Sequence, residues 1–189
     1  MAGKHDHGCK RVMHVPADWK VDGEISDCER YRYKLSQRWA PGSLALFCMM
    51  NPSGADLDVT DATVSKCARM AKGWGYGGLM VANACAYRAT DNKRLLELSD
   101  PAGPRNGAAL LEMAAQAGII VIAHGRLPKG LQHHADTMSR DLRNAGHTLH
   151  VLRLLGDGVP THPLARGKGY LPDDTEPVIW PSGPFVVAI

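Results

Sequence analysis

The chain has 189 residues, 44% hydrophobic and 22% charged, with a formal net charge of +3. That is enough chain for one domain with a sizeable core, and its mild basicity permits a polyanionic partner without demanding one. No apolar stretch nears the roughly 18 residues that cross a bilayer, and MAGKHDHGCKRVMHVPADWK lacks a signal-peptide core, so a soluble, cytoplasmic protein with no membrane partner is expected.

Residues 1–28 read as an irregular lead-in, with His5-Asp6-His7-Gly8-Cys9 taken as tail rather than metal site. ERYRYKLSQRW (29–39) alternates, with Tyr31, Tyr33 and Leu35 on one face and Arg32, Lys34 and Ser36 on the other. That period of two predicts a half-exposed strand at a sheet edge. After a Pro41-Gly42 turn, SLALFCMM (43–50) is continuously apolar, as a strand buried on both faces is. Asp61 or Thr60 can cap a helix over 62–72, and Gly73, Gly75, Gly77 and Gly78 end it. GLMVANA (78–84) is a second buried strand, followed by a long loop with a short helix near Lys93 to Leu98. Asn106 starts a helix ending at Gly118, and IIVIAHG (119–125) is the third buried strand. A helix from near Pro128 to Gly146 and the strand TLHVLRLL (148–155) follow. The Gly- and Pro-rich tail from 156 holds a candidate last strand at PFVVAI.

Buried strands alternating with helices predict an α/β fold. The expected architecture is one domain over residues 29–189, a three-layer α/β/α sandwich around a central, mostly parallel four-stranded sheet. The five cysteines, Cys9, Cys28, Cys48, Cys67 and Cys85, form no CxxC pair and are expected to be free buried thiols.

Ligands of such folds gather at the carboxyl ends of the strands. The residues leaving those ends are Asn51-Pro52-Ser53, then Asn83 with Tyr87-Arg88, then His124-Gly125-Arg126, then Thr161-His162-Pro163-Leu164. No acid–base pair stands out. The set suits a planar, hydrogen-bonding ligand such as a nucleobase, because an Asn amide both donates and accepts. Asp56, Asp58 and Asp61 have a spacing that suits solvated loop residues and a helix cap better than a metal site, and no cofactor is expected.

In this order the four segments resemble the motifs of the uracil-DNA glycosylase superfamily. Met49-Met50-Asn51-Pro52-Ser53 is similar to the G-I-N-P-G of its mismatch-specific thymine/uracil members. LMVANACAYRATDNKR places Asn83 and Arg88 on the Asn and Arg of the strand-N-x-x-x-C-R-P-P segment of thermophile-type members. IIVIAHG resembles the strand-Gly segment, and THPLARGKGYL the His-Pro-Ser-Pro motif. Met49 stands where the motif has glycine, Ser53 where it ends in glycine, and Leu164 where the last motif has serine. Tyr87 replaces an iron–sulfur cysteine, so no cluster is expected. From about Arg30 to Leu171 the chain also resembles an uncharacterised bacterial and phage family, the domain of unknown function 1643, with its N-P-S-T-A-D, W-G-Y-G, R-A-T-D and H-P-L patterns in order.

The glycosylase resemblance implies a fold of that type and an enzyme acting on a base in DNA, modified or not, by N-glycosidic hydrolysis or a related step. Asn51 would orient water and His162 would hydrogen-bond the departing base. Pro52, Ser53, Asp56, Asn83 and Arg88 would form the base site, while Leu164, Arg166, Lys168 and Arg126 would meet the DNA. The bland alternatives are a strand-ending turn at Asn51-Pro52, a capping Asn83 and a packed loop His162. A non-catalytic protein that binds nucleic acid or nucleotide through the same pocket is the rival function.

Overall fold

The computed structural model describes residues 12–181; the His5–Cys9 cluster and the PFVVAI segment lie outside the described residues. In chain order the elements are β1 (Val12–His14), β2 (Lys20–Ile25), β3 (Arg32–Arg38), β4 (Leu44–Met49), β5 (Val59–Asp61), α1 (Ala62–Gly73), β6 (Gly78–Asn83), α2 (Asn106–Ala114), β7 (Ala117–Ile122), α3 (Gln132–Asn144), β8 (Leu149–Val151) and β9 (Val178–Ile179). The fold is α/β with a mixed sheet and a few helices.

SLALFCMM, GLMVANA, IIVIAHG and TLHVLRLL supply β4, β6, β7 and β8, whose neighbours in the sheet pair in parallel. The expected four-stranded sheet is corrected to seven strands, in the order β2-β3-β6-β4-β7-β8-β9. The additional strands all pair antiparallel, β2 and β3 at one side and β9 at the other. They lie at the sheet's flanks, where one face stays wet and no continuous apolar run is required. β2 falls inside the stretch expected to be irregular; its Lys20, Asp22 and Glu24 alternate with Val21, Gly23 and Ile25. Because β2 covers β3, the expected edge strand is an interior one. β1 and β5 form a separate two-stranded ladder.

The winding explains where the helices lie. From β4 the chain crosses to β6 on one side, then returns past β4 to β7 and on to β8. Right-handed crossovers in opposite directions require helices on opposite faces. Accordingly Ala45, Phe47 and Met49 pack with the α1 residues Val64, Cys67 and Met70. Leu44, Leu46 and Cys48 pack with Leu110 and Met113 of α2 and with Met138 and Leu142 of α3. Phe47 is fully buried and stacks on Trp74 at 5.6 Å, and its burial contributes roughly 1.5–3 kcal/mol.

Helix ends follow local chemistry. Asp61 caps α1, its side chain accepting from the Val64 N–H at 2.9 Å. Gly146, at φ 84°, closes α3 as expected. Gly118 does not end α2, which stops at Ala114. It lies in β7, where a Cβ would stand 2.8 Å from that of Ser43 and 2.9 Å from the Tyr76 ring. Among the described residues no helix is long and apolar enough to cross a membrane.

Cys48, Cys67 and Cys85 are buried free thiols, and burial pushes all of them up, Cys85 to about 12. Cys28, expected to be buried with the others, is instead exposed, in the turn between β2 and β3, and hydrogen bonds from Ser26 and Arg30 bring it down to about 7. Of these four, Cys28 should therefore be the one iodoacetamide alkylates in the folded protein, at a rate rising with pH to half its maximum near pH 7. Peptide mapping after timed alkylation checks this; equal labelling of Cys85 would contradict it.

Candidate functional site

The sheet order places a topological switch point between β4 and β7, where successive connections leave in opposite directions. The crevice at the carboxyl ends of strands flanking such a point is the usual ligand site. Asn51 follows β4 there, and Gly125 follows β7. A cavity of about 450 Å³ lies at these ends, lined by Met49, Met50, Asn51 and Ser53, by residues 61–64 at the start of α1, and by Arg32, His162 and Leu164. Another cavity, of about 440 Å³, lies between α3 and residues 157–160, and of the strand-end residues singled out in the sequence it is lined by His124.

Asn51 is oriented by what surrounds it. Its Nδ2 donates to the carbonyls of Pro52 at 2.9 Å and Ala89 at 2.8 Å. Two acceptors must face the nitrogen, so the amide cannot turn over, and Oδ1 is left as an acceptor on a residue that lines the cavity. Asn51 is thus a turn residue and a fixed acceptor at once.

His162 has its tautomer set in the same way. Its Nδ1 lies 3.1 Å from the Leu164 N–H and accepts from it. In the neutral ring the proton then sits on Nε2, which makes that edge a donor. Gly125 brings the ring's loop close: it has φ 67°, and a Cβ there would lie 2.9 Å from the Cβ of His162. Gly125→Ala should cost about 1–2 kcal/mol for the left-handed backbone alone and displace His162 as well. A thermal melt and ligand affinity measured together check this, and wild-type values of both would contradict it.

Arg32 is the residue that periodicity misplaced. Expected on an exposed face, it is 3% exposed and lines the cavity. The register shifts between Glu24 and Ile25, opposite the start of β3, and there the two-residue alternation no longer decides which side chains are covered. Its guanidinium donates to the Ala55 carbonyl at 2.5 Å and to Asn83 Oδ1 at 3.3 Å. Burial lowers its pKa to about 10, opposed by the nearby charges of Asp61 and Asp56, so it stays a cation at neutral pH. Its Nε has no partner among the described residues.

Asn83 ends β6, is 3% exposed and lies behind Arg32 rather than at the cavity wall. Asn106 of α2 fixes it by donating to its carbonyl at 2.9 Å. Asn83 Nδ2 is a second buried donor with no partner among the described residues. Asp56 and Arg88 form an ion pair that ties the NPSGAD loop to the YRAT loop, and neither lines the cavity. Arg105 pairs with Glu24 and Glu112, and Arg126 with Asp157. Pro52 is buried beside the cavity; Ser53 lines it. Leu164, 38% exposed, lines the cavity, and Arg166 and Lys168 are exposed just beyond it on the same loop.

Asp61 lines the cavity too, which its role as a cap did not announce. One oxygen takes the Val64 N–H and the other the N–H groups of Gly54 and Ala55, each at 3.2 Å. The cavity therefore offers a buried cation, an imidazole donor, a fixed carbonyl acceptor, apolar walls and the Asp61 carboxylate, whose oxygens already accept from three backbone N–H groups. Among the described residues no cluster of three or more His, Cys, Asp or Glu side chains can hold a metal ion.

The model of a family described as "Protein of unknown function (DUF1643)" matches residues 32–164. No curated protein and no solved structure matches the chain.

Proposed function

The chain belongs to the DUF1643 family, and we propose that it acts on a nucleobase in DNA, modified or not, by hydrolysing the N-glycosidic bond or by a related step at the base. One observation carries this reading: Asn51, Ser53, His162 and Leu164, separated by up to 113 positions, line one cavity together with a buried arginine. The order of their segments, which resembles that of the uracil-DNA glycosylases, supports it.

Each group has a part in that reaction. Arg32 and His162 face a base's carbonyl edge and stabilise the negative charge it carries as the bond breaks. Asn51 Oδ1 accepts from a water and holds it toward the sugar carbon, positioning it rather than taking its proton. Leu164 wedges into the stack the base has left, and Arg166 and Lys168 meet phosphates.

A second reading, non-catalytic base binding, is favoured by Met49. It lines the cavity where the glycosylase motif has glycine, and its thioether narrows the approach to the base. Incubation with DNAs carrying a panel of modified bases, followed by mass spectrometry of free bases and nucleosides, separates the two. Release of a base supports hydrolysis; tight, base-selective binding with every nucleoside intact supports the second reading.

A further inference from the structure

A groove of about 290 Å³ lies away from the strand-end cavity, between α1 and the segment that joins β1 to β2. None of its lining residues belongs to the cavity described above. Its size is at the lower end of small-molecule sites.

Its most unusual wall is Gln37 of β3. The side chain is 0% exposed, and both Nε2 and Oε1 lack a partner among the described residues. A buried amide with neither end satisfied is costly and rare, so such a group calls for a ligand or an ordered water that meets it. A carboxamide offers one donor beside one acceptor, the complement of a nucleobase edge that carries an acceptor beside a donor.

The surrounding walls fit the rest of such a molecule. Trp19 supplies an aromatic face beside Pro16 and Ala68. Lys72 Nζ stands 4.4 Å from the Trp19 ring centroid and 5.1 Å from that of Trp39, and has no carboxylate partner among the described residues. His14 and Arg69 also line the groove, Arg69 with its Nε on Asp173. Among the described residues no carboxylate lines it. Aromatic face, donor–acceptor pair and cationic rim together suit a planar base with an attached phosphate.

We propose that this groove is a second, independent site that binds a nucleotide, its base edge on Gln37 and against Trp19, and its phosphate on Lys72. Because Gln37 is 0% exposed, binding there requires the segment carrying Pro16 and Trp19 to move aside and admit the ring.

The test uses the full chain and follows tryptophan fluorescence during titration with AMP, GMP, CMP and UMP. The corresponding nucleosides, ribose 5-phosphate, inorganic phosphate and short single-stranded oligonucleotides are run alongside. At least one mononucleotide should bind, with its nucleoside weaker and inorganic phosphate much weaker. Stronger binding of an oligonucleotide than of its mononucleotide would identify the ligand as a residue of a strand. Gln37→Met should raise the thermal midpoint, because it removes an unsatisfied amide, while weakening the nucleotide about tenfold or more, the loss expected when a base edge goes unread. Lys72→Met should weaken the nucleotide and leave the nucleoside unchanged. Asn51→Ala, which alters the other cavity, should leave this affinity intact, so failure of the proposed DNA chemistry does not touch it. The proposal is overturned if no mononucleotide binds, if inorganic phosphate binds as well as the nucleotides do, or if Gln37→Met binds like the wild type.

Discussion

Arg32→Met should lower base release by about 10²–10³-fold, the loss expected when one donor to a developing oxyanion is removed. Among the described residues no other Lys or Arg side chain lines the cavity, so no neighbouring guanidinium or ammonium compensates. The same change leaves the Ala55 carbonyl and Asn83 Oδ1 without their donor, at a cost of about 1–3 kcal/mol each. It also removes a buried charge whose Nε is unpartnered among the described residues, which offsets part of that cost. The variant should therefore fold, melt lower and turn over poorly. Arg32→Lys keeps the charge but loses the planar fork, and should recover only part of the rate. Single-turnover kinetics with thermal melts check both, and full activity in Arg32→Met would remove the buried cation from the mechanism.

Asn51→Ala should reduce turnover by about 10²-fold or more while leaving DNA affinity within about threefold, because it removes a group that positions water rather than one that holds the duplex. It also deprives the Pro52 and Ala89 carbonyls of a donor, at about 1 kcal/mol apiece. The two losses separate by temperature. A purely structural turn would regain its rate on cooling, where the fold is secure, whereas a lost acceptor would not. Asn51→Asp should fare worse in stability, since its carboxylate would face two carbonyl oxygens. DNA affinity and single-turnover rates at two temperatures are the measurements.

How much of the fold and site is legible in the sequence follows from the kind of signal each element leaves. β4 and β6 are buried along their whole length and β7 over its second half, so their apolar runs stand out, and the residues at or beyond the carboxyl ends of these strands and β8, Asn51, Asn83, Gly125 and His162, can be picked out from the chain alone. Antiparallel flanking strands leave weaker marks. β2 carries its period of two beneath three charged residues, and β9 is two residues long. Arg32 is the costly miss. Alternation along β3 puts it outside with Lys34, and only the sheet's register shift and the loop carbonyl of Ala55 bring it in. Asp56 and Arg88 are legible as charged residues near the site, but not as partners, since they lie 32 positions apart and meet only when both loops close over the strand ends.

The most direct test of the central claim, that the cavity beneath Asn51 and His162 receives a base, is photo-crosslinking of the wild-type protein to DNA carrying a single 5-iodouracil, with the attachment point mapped by mass spectrometry. A base held in that cavity should crosslink to residues 49–53 or 162–164, and an excess of the same DNA without iodine should suppress the product. Efficient crosslinking confined to any other surface, with the loops at 49–53 and 162–164 unmodified, would contradict the account.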